Sequence, residues 1–163
     1  MNPEDKIWSV FSKVGKVSTD TRKIEPGSIF FALKGGNFNG NEFAEKALNL
    51  GAAAVVIDEE KYAFGENSIL VPDALKALQN LANRYRNSLN CTIVGIGGSN
   101  GKTTTKNLLK SVFGSIKKIH ATKGNLNNHI GVPLTLLAIP HDAEYAFVVA
   151  VGRLPGAADP DQQ

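Results

Sequence analysis

The run Gly97-Gly98-Ser99-Asn100-Gly101-Lys102-Thr103-Thr104-Thr105 carries the residue types that bind phosphate. Glycines let consecutive backbone N–H groups converge on phosphate oxygens, and a helix beginning there adds the positive end of its dipole. In such a loop Lys102 reaches the β and γ phosphates and the Thr103 hydroxyl is a Mg²⁺ ligand. The strict pattern asks for a glycine where this chain has Ile96, so the match is to a variant loop. The alternative is a glycine-rich turn that merely precedes a lysine, and the flanking context weighs against it.

That context is a strand before the loop and a helix after it. Cys91-Thr92-Ile93-Val94-Gly95-Ile96 reads as a β-branched strand, and Leu108, Leu109, Val112 and Phe113 recur at helical spacing between Lys102 and Phe113. Upstream, Ile7, Trp8 and Phe11 predict a helix, and Glu25-Pro26-Gly27 turns into a strand over 28–33. A glycine- and asparagine-rich loop over 35–41 leads to a helix bearing Phe43, Ala44, Ala47, Leu48 and Leu50, stopped at Gly51. Strands follow over 52–57 and 68–71, then a helix from Pro72-Asp73 with Leu75, Leu78, Leu81, Ala82 and Tyr85. Beyond Ile96 come strands near 118–121 and over 145–151, and a helix near 132–138. This alternation predicts an α/β chain with parallel sheets.

Other polar groups have plainer readings. Asp20 and Arg22 have the spacing of a turn with an ion pair, and Asp58-Glu59-Glu60-Lys61 reads as a solvated loop at a strand end. Asn127 and Asn128 suit a turn and a cap for the helix that follows. His120, His129 and His141 receive no role, since a lone histidine needs partners to act as ligand or base.

The 163 residues suffice for one domain or two small ones, and 18 basic against 15 acidic side chains give no argument for nucleic acid or an anionic membrane. The single cysteine, Cys91, cannot form an intramolecular disulfide and points to a reducing compartment. With no apolar leader and no apolar run of membrane-spanning length, a cytoplasmic location is expected.

Taken together, the phosphate loop and four further segments resemble the Mur ligases, the ATP-dependent enzymes that build the peptide stem of the bacterial cell-wall precursor. The segments are Ser18-Thr19-Asp20-Thr21-Arg22, the run from Glu25 to Gly35, Asn39-Gly40-Asn41-Glu42-Phe43, and the run from Asn125 to Leu137. The last resembles the family member that joins D-alanyl-D-alanine to UDP-N-acetylmuramoyl-tripeptide. The preceding ligase, which adds the third stem residue, is the alternative within the family.

The resemblance implies an α/β fold with a UDP-sugar-binding domain at 1–88 and the first part of a parallel, ATP-binding central domain at 89–151. Thr19, Asp20, Thr21, Arg22, Asn39, Gly40 and Asn41 would lie at the sugar nucleotide. Gly98, Ser99, Asn100, Gly101, Lys102, Thr103, Thr104 and Asn128 would hold the phosphates of ATP, with Lys102 catalytic and Thr103 a ligand to Mg²⁺. The implied partners are the two small-molecule substrates, and the full-length protein is expected to be a monomer.

One departure stands out. Relatives place a glutamate at the end of the last strand, where this chain has Val151, and a valine cannot coordinate Mg²⁺. After it, 152–163 turns rich in Pro, Ala and Asp and reads as an unfolded, unmatched tail, the expected result of a truncated or shifted frame. The expectation is therefore a fragment that binds without ligating. Competing readings are an unrelated P-loop ATPase or kinase, and a structural partner for a complementary chain.

Overall fold

A computed structural model describes residues 1–151, in two compact units that meet in sequence at Arg84 and Tyr85. The expectation for the tail at 152–163 lies outside the described residues.

In the N-terminal unit, helix α1 (Pro3–Val14) starts where the Asn2 side chain accepts from the Glu4 N–H, and buries Ile7 and Phe11. Strands β1 (Val17–Ser18), β2 (Ile29–Phe31), β5 (Ala54–Ile57) and β6 (Ser68–Leu70) form one parallel sheet in the order β1-β2-β5-β6. Every residue of β2 and β5 is buried, as continuous apolar strands between two covered faces require. Phe30, Ala32, Val55 and Ile57 pack on one face against Ala44 and Ala47 of helix α2 (Ala44–Asn49). Between β2 and α2, the stretch expected to be an irregular loop contains a small antiparallel hairpin, β3 (Lys34–Gly35) with β4 (Phe38–Asn39), and a 3-10 turn over Gly40–Phe43. Gly40 is required there: a Cβ would stand 2.4 Å from the Leu33 carbonyl oxygen. Helix α3 (Ala74–Ser88) follows, with the Asp73 carboxylate accepting from the Lys76 N–H.

In the C-terminal unit, β7 (Thr92–Ile96), β8 (Ile119–Ala121) and β9 (Tyr145–Val149) form a parallel sheet in the order β7-β9-β8. The last strand in sequence is thus the central one. Its side chains alternate between two layers: Ala146, Val148 and Ala150 pack with Val132 of helix α5 (Gly131–Leu137), while Phe147 and Val149 pack with Leu109 and Phe113 of helix α4 (Lys102–Phe113). Leu108 and Val112, which share the helical spacing, are 64% and 55% exposed, so α4 buries a narrower stripe than its periodicity predicts. Among the described residues, no helix is long and apolar enough to cross a membrane.

Candidate functional site

Parallel sheets bind ligands at the carboxyl ends of their strands, because the strand-to-helix turns there gather free N–H groups and helix N-termini. Both units follow this rule in where they put their polar loops.

The phosphate loop joins β7 to α4. Gly98 and Gly101 have φ of +120° and +80°, conformations that side chains rarely adopt, which is why glycine stands at these two places. The first α4 bond runs from the Thr105 N–H to the Gly101 carbonyl at 2.8 Å. The preceding N–H groups, of Lys102, Thr103 and Thr104, have no acceptor within their own helix and are the ones an anion can take. Lys102 folds back on the loop, its ammonium donating to the carbonyls of Gly98 and, at 3.2 Å, Ser99. Ser99, Asn100, Gly101, Thr103 and Thr104 are exposed.

The segment carrying Asn128 lies at the same edge. The Ala150 N–H donates to the Ile96 carbonyl at 3.1 Å and the Val151 N–H to the Asn127 carbonyl at 2.7 Å, so the end of β9 is tied to both loops. Asn128 Oδ1 accepts from the N–H groups of Ile130 and Gly131 at 3.1 and 2.8 Å and so shapes the start of α5. Only its Nδ2 donors are left for a phosphate. Buried Thr122 locks β8 to β9 by accepting from the Val149 N–H at 2.9 Å, and its carbonyl accepts from the Lys106 ammonium at 3.0 Å. Burial, followed by the charge of Lys123, lowers the pKa of His120.

In the N-terminal unit the loops after β1, β2 and β5 share the carboxyl edge. Asp20 Oδ1 accepts from the Arg22 N–H at 3.0 Å, and the guanidinium donates from Nε to Oδ1 at 2.9 Å and from Nη2 to Oδ2 at 2.7 Å. These bonds hold the Asp20 carboxyl at about 2. The turn and ion pair expected from spacing are therefore present, and the Arg22 side chain is 86% exposed beside half-buried Thr19 and Thr21.

Asn39 and Asn41 belong to a network that spacing did not reveal. Asn41 is buried and fully engaged: Nδ2 donates to Asn39 Oδ1 at 2.9 Å and to Asp58 Oδ1 at 2.8 Å, while Oδ1 accepts from the Asp58 N–H at 3.0 Å. Lys34 pairs with Asp58 at 2.9 Å and with Glu59 at 3.1 Å, and Asn39 Nδ2 donates to Glu59 Oε1 at 3.1 Å. Burial raises the Asp58 pKa, but Lys34, Asn41 and the Ala74 N–H together outweigh it and keep the carboxyl low. Asp58 and Glu59 thus tie the loops of this edge together and are not members of a solvated loop. The only signal of this in the sequence was the sheet edge itself. Beside the network, Lys34, Asn39 and the stacked rings of Phe38 and Phe43, 5.3 Å apart, line an open cavity of about 530 Å³.

Comparison with known proteins explains why one chain carries these two edges. Residues 13–86 match the family description "Mur ligase family, catalytic domain" and residues 96–152 match "Mur ligase middle domain". The chain belongs to the Mur ligase family. It is 48% identical over 134 residues to the UDP-N-acetylmuramoyl-tripeptide--D-alanyl-D-alanine ligase of Bacillus subtilis (strain 168), covering 81% of this chain and 29% of that protein. It is 36% identical to the Escherichia coli (strain K12) enzyme of the same name, again covering 81% of this chain and 29% of the other. Among solved structures, MurF from Acinetobacter baumannii superposes with a TM-score of 0.78 at 30% identity, over 85% of this chain and 31% of that one. MurF ligase from Thermotoga maritima in complex with ADP superposes with a TM-score of 0.75 at 29% identity, over 83% and 32%. The chain therefore spans about a third of the length of these Mur ligases.

Mur ligases use ATP and Mg²⁺, and the two halves of that requirement fare differently here. The loop fits phosphate, as described. For a metal, Thr103 offers a hydroxyl, but among the described residues no group of three His, Cys, Asp or Glu side chains could hold an ion, and Val151 closes the end of β9. The described residues therefore offer no metal site of their own beyond the Thr103 hydroxyl.

Proposed function

We propose that this chain provides the sugar-nucleotide-binding unit and the phosphate loop of a ligase that joins D-alanyl-D-alanine to UDP-N-acetylmuramoyl-tripeptide in the cytoplasm. The observation that carries the reading is the glycine loop between β7 and α4, with its open first-turn N–H groups beside Lys102. Gly98 to Thr104 hold the phosphates of ATP, and Asn128 adds its amide. Thr19, Asp20, Thr21 and Arg22 hold the uridine diphosphate end of the other substrate, with Arg22 offering pyrophosphate the N–H groups that Asp20 leaves free. Asn39, Gly40 and Asn41 shape the neighbouring loop.

In the complete reaction a carboxylate oxygen of the tripeptide bonds to the γ-phosphorus and ADP leaves. The amine nitrogen of the dipeptide then bonds to the acyl carbon, inorganic phosphate leaves, and the amine gives up its proton. Lys102 stabilises the charge spread over the transferring phosphoryl oxygens. For this chain by itself, the reading is binding of both nucleotides without ligation.

Isothermal titration of the chain with UDP-N-acetylmuramoyl-tripeptide and, separately, with ATP tests this. Saturable binding of each without formation of the pentapeptide product is expected. Failure to bind either nucleotide would refute the reading, and phosphate release dependent on both substrates would refute the absence of turnover.

A further inference from the structure

The described residues of the C-terminal unit have an unusual charge inventory. No aspartate or glutamate stands anywhere between Asp73 and Asp142. Among residues 85–151 there are seven lysine and arginine side chains and two carboxylates, Asp142 and Glu144. Both carboxylates precede β9, at the amino edge of the sheet, and both are paired, Glu144 with Lys117 at 2.7 Å and Asp142 with Lys118 at 2.8 Å. The phosphate loop is at the opposite edge. The length of β9 puts about 15 Å between the two edges, roughly twice the screening length at physiological salt.

At the loop itself every cation is held by neutral groups: Lys102 by the carbonyls of Gly98 and Ser99, Lys106 by that of Thr122. Lys123 follows directly. Among the described residues, the end of β9, hydrogen-bonded to Ile96 and Asn127, is a place from which a carboxylate could face the loop. Val151 occupies that position, 63% exposed and without an oxygen to offer.

We infer that this site takes the nucleoside triphosphate as the bare polyanion and binds its magnesium complex less well. The inference rests on the nucleotide reading above and deepens it. Magnesium cancels two of the negative charges that Lys102, Lys106 and Lys123 attract, and the described residues of this unit return no carboxylate to hold the ion in exchange. A hydroxyl such as that of Thr103 is a weak substitute for the carboxylates that usually share Mg²⁺ with phosphate oxygens.

The test is titration of the chain with a fluorescent ATP analogue in excess EDTA and in excess Mg²⁺, at matched ionic strength. Binding about tenfold tighter in EDTA is expected. Equal or tighter binding with Mg²⁺ would overturn the inference, whereas no binding in either buffer would overturn the nucleotide reading itself and this inference with it. Val151→Glu, a change at an exposed position, is expected to reverse the order so that Mg²⁺ strengthens binding. A variant that still favours the bare nucleotide would overturn the assignment of the missing carboxylate to position 151.

Discussion

Asn41 and Asp58 close a two-way bond across 17 residues of sequence: the amide donates to the carboxylate at 2.8 Å and the Asp58 N–H returns a bond to the amide oxygen at 3.0 Å. Because Asn41 is buried, removing either partner strands a polar group that water cannot reach. Asp58→Ala and Asn41→Ala are each expected to destabilise the N-terminal unit by about 1–3 kcal/mol. The double variant should cost less than the sum of the two. Urea unfolding followed by the fluorescence of Trp8, the only tryptophan, measures both; strict additivity would show that the two residues do not act together.

Asp20 supplies a pH signature. Its carboxyl sits at about 2 rather than 3.8, chiefly through the Arg22 side chain and then the Arg22 N–H. A group whose pKa is lower folded than unfolded adds stability that is complete above the unfolded value and is lost as pH falls through the folded one. The turn should therefore be intact above about pH 4 and weaken toward pH 2. Carbon NMR titration of the Asp20 carboxyl should give a midpoint near 2, and Arg22→Gln should move it up toward that of an ordinary aspartate. A wild-type midpoint at the ordinary value would dismiss the ion pair.

Under the proposed function Lys102 meets the phosphates of ATP, and in the free protein it bonds to loop carbonyls. Lys102→Met should therefore leave the circular dichroism spectrum unchanged. It should weaken ATP binding by about 10- to 100-fold, the range of a lost charged hydrogen bond. A loss of less than about threefold would place the phosphates elsewhere.

Leu108 and Leu109 are neighbours with opposite surroundings, the first 64% exposed and the second packed against the layer of Phe147 and Val149. Leu108→Lys should change stability by less than about 0.5 kcal/mol, whereas Leu109→Ala should cost about 1–3 kcal/mol. Thermal melts of the two variants decide, and the reverse order would mean that α4 packs through its other face.

These contrasts mark what could be read in advance. The β7-loop-α4 unit was legible because a β-branched strand, glycines and a helical period are all local signals, and the family resemblance rested on runs of that kind. The hairpin around Lys34 and Asn39 was not, since two-residue strands carry no period. Spacing put Leu108 and Val112 on the same helix as Leu109 and Phe113, but it could not say where the neighbouring layer ends. Asp58 looked solvated because its partners, Lys34 and Asn41, lie in another segment and meet it only once β2 and β5 are paired. Asp20 and Arg22, two residues apart, form the pair that their spacing predicts.

The pairing of Glu144 with Lys117 and of Asp142 with Lys118 has a kinetic consequence. Among the described residues of this unit, both acids are neutralised at the amino edge, whereas Lys102, Lys106 and Lys123 at the loop edge have no carboxylate partner. A polyanion diffusing toward that edge is drawn in by its phosphates before it touches. Its association rate should climb steeply as salt is withdrawn, while that of an uncharged nucleoside should hardly change.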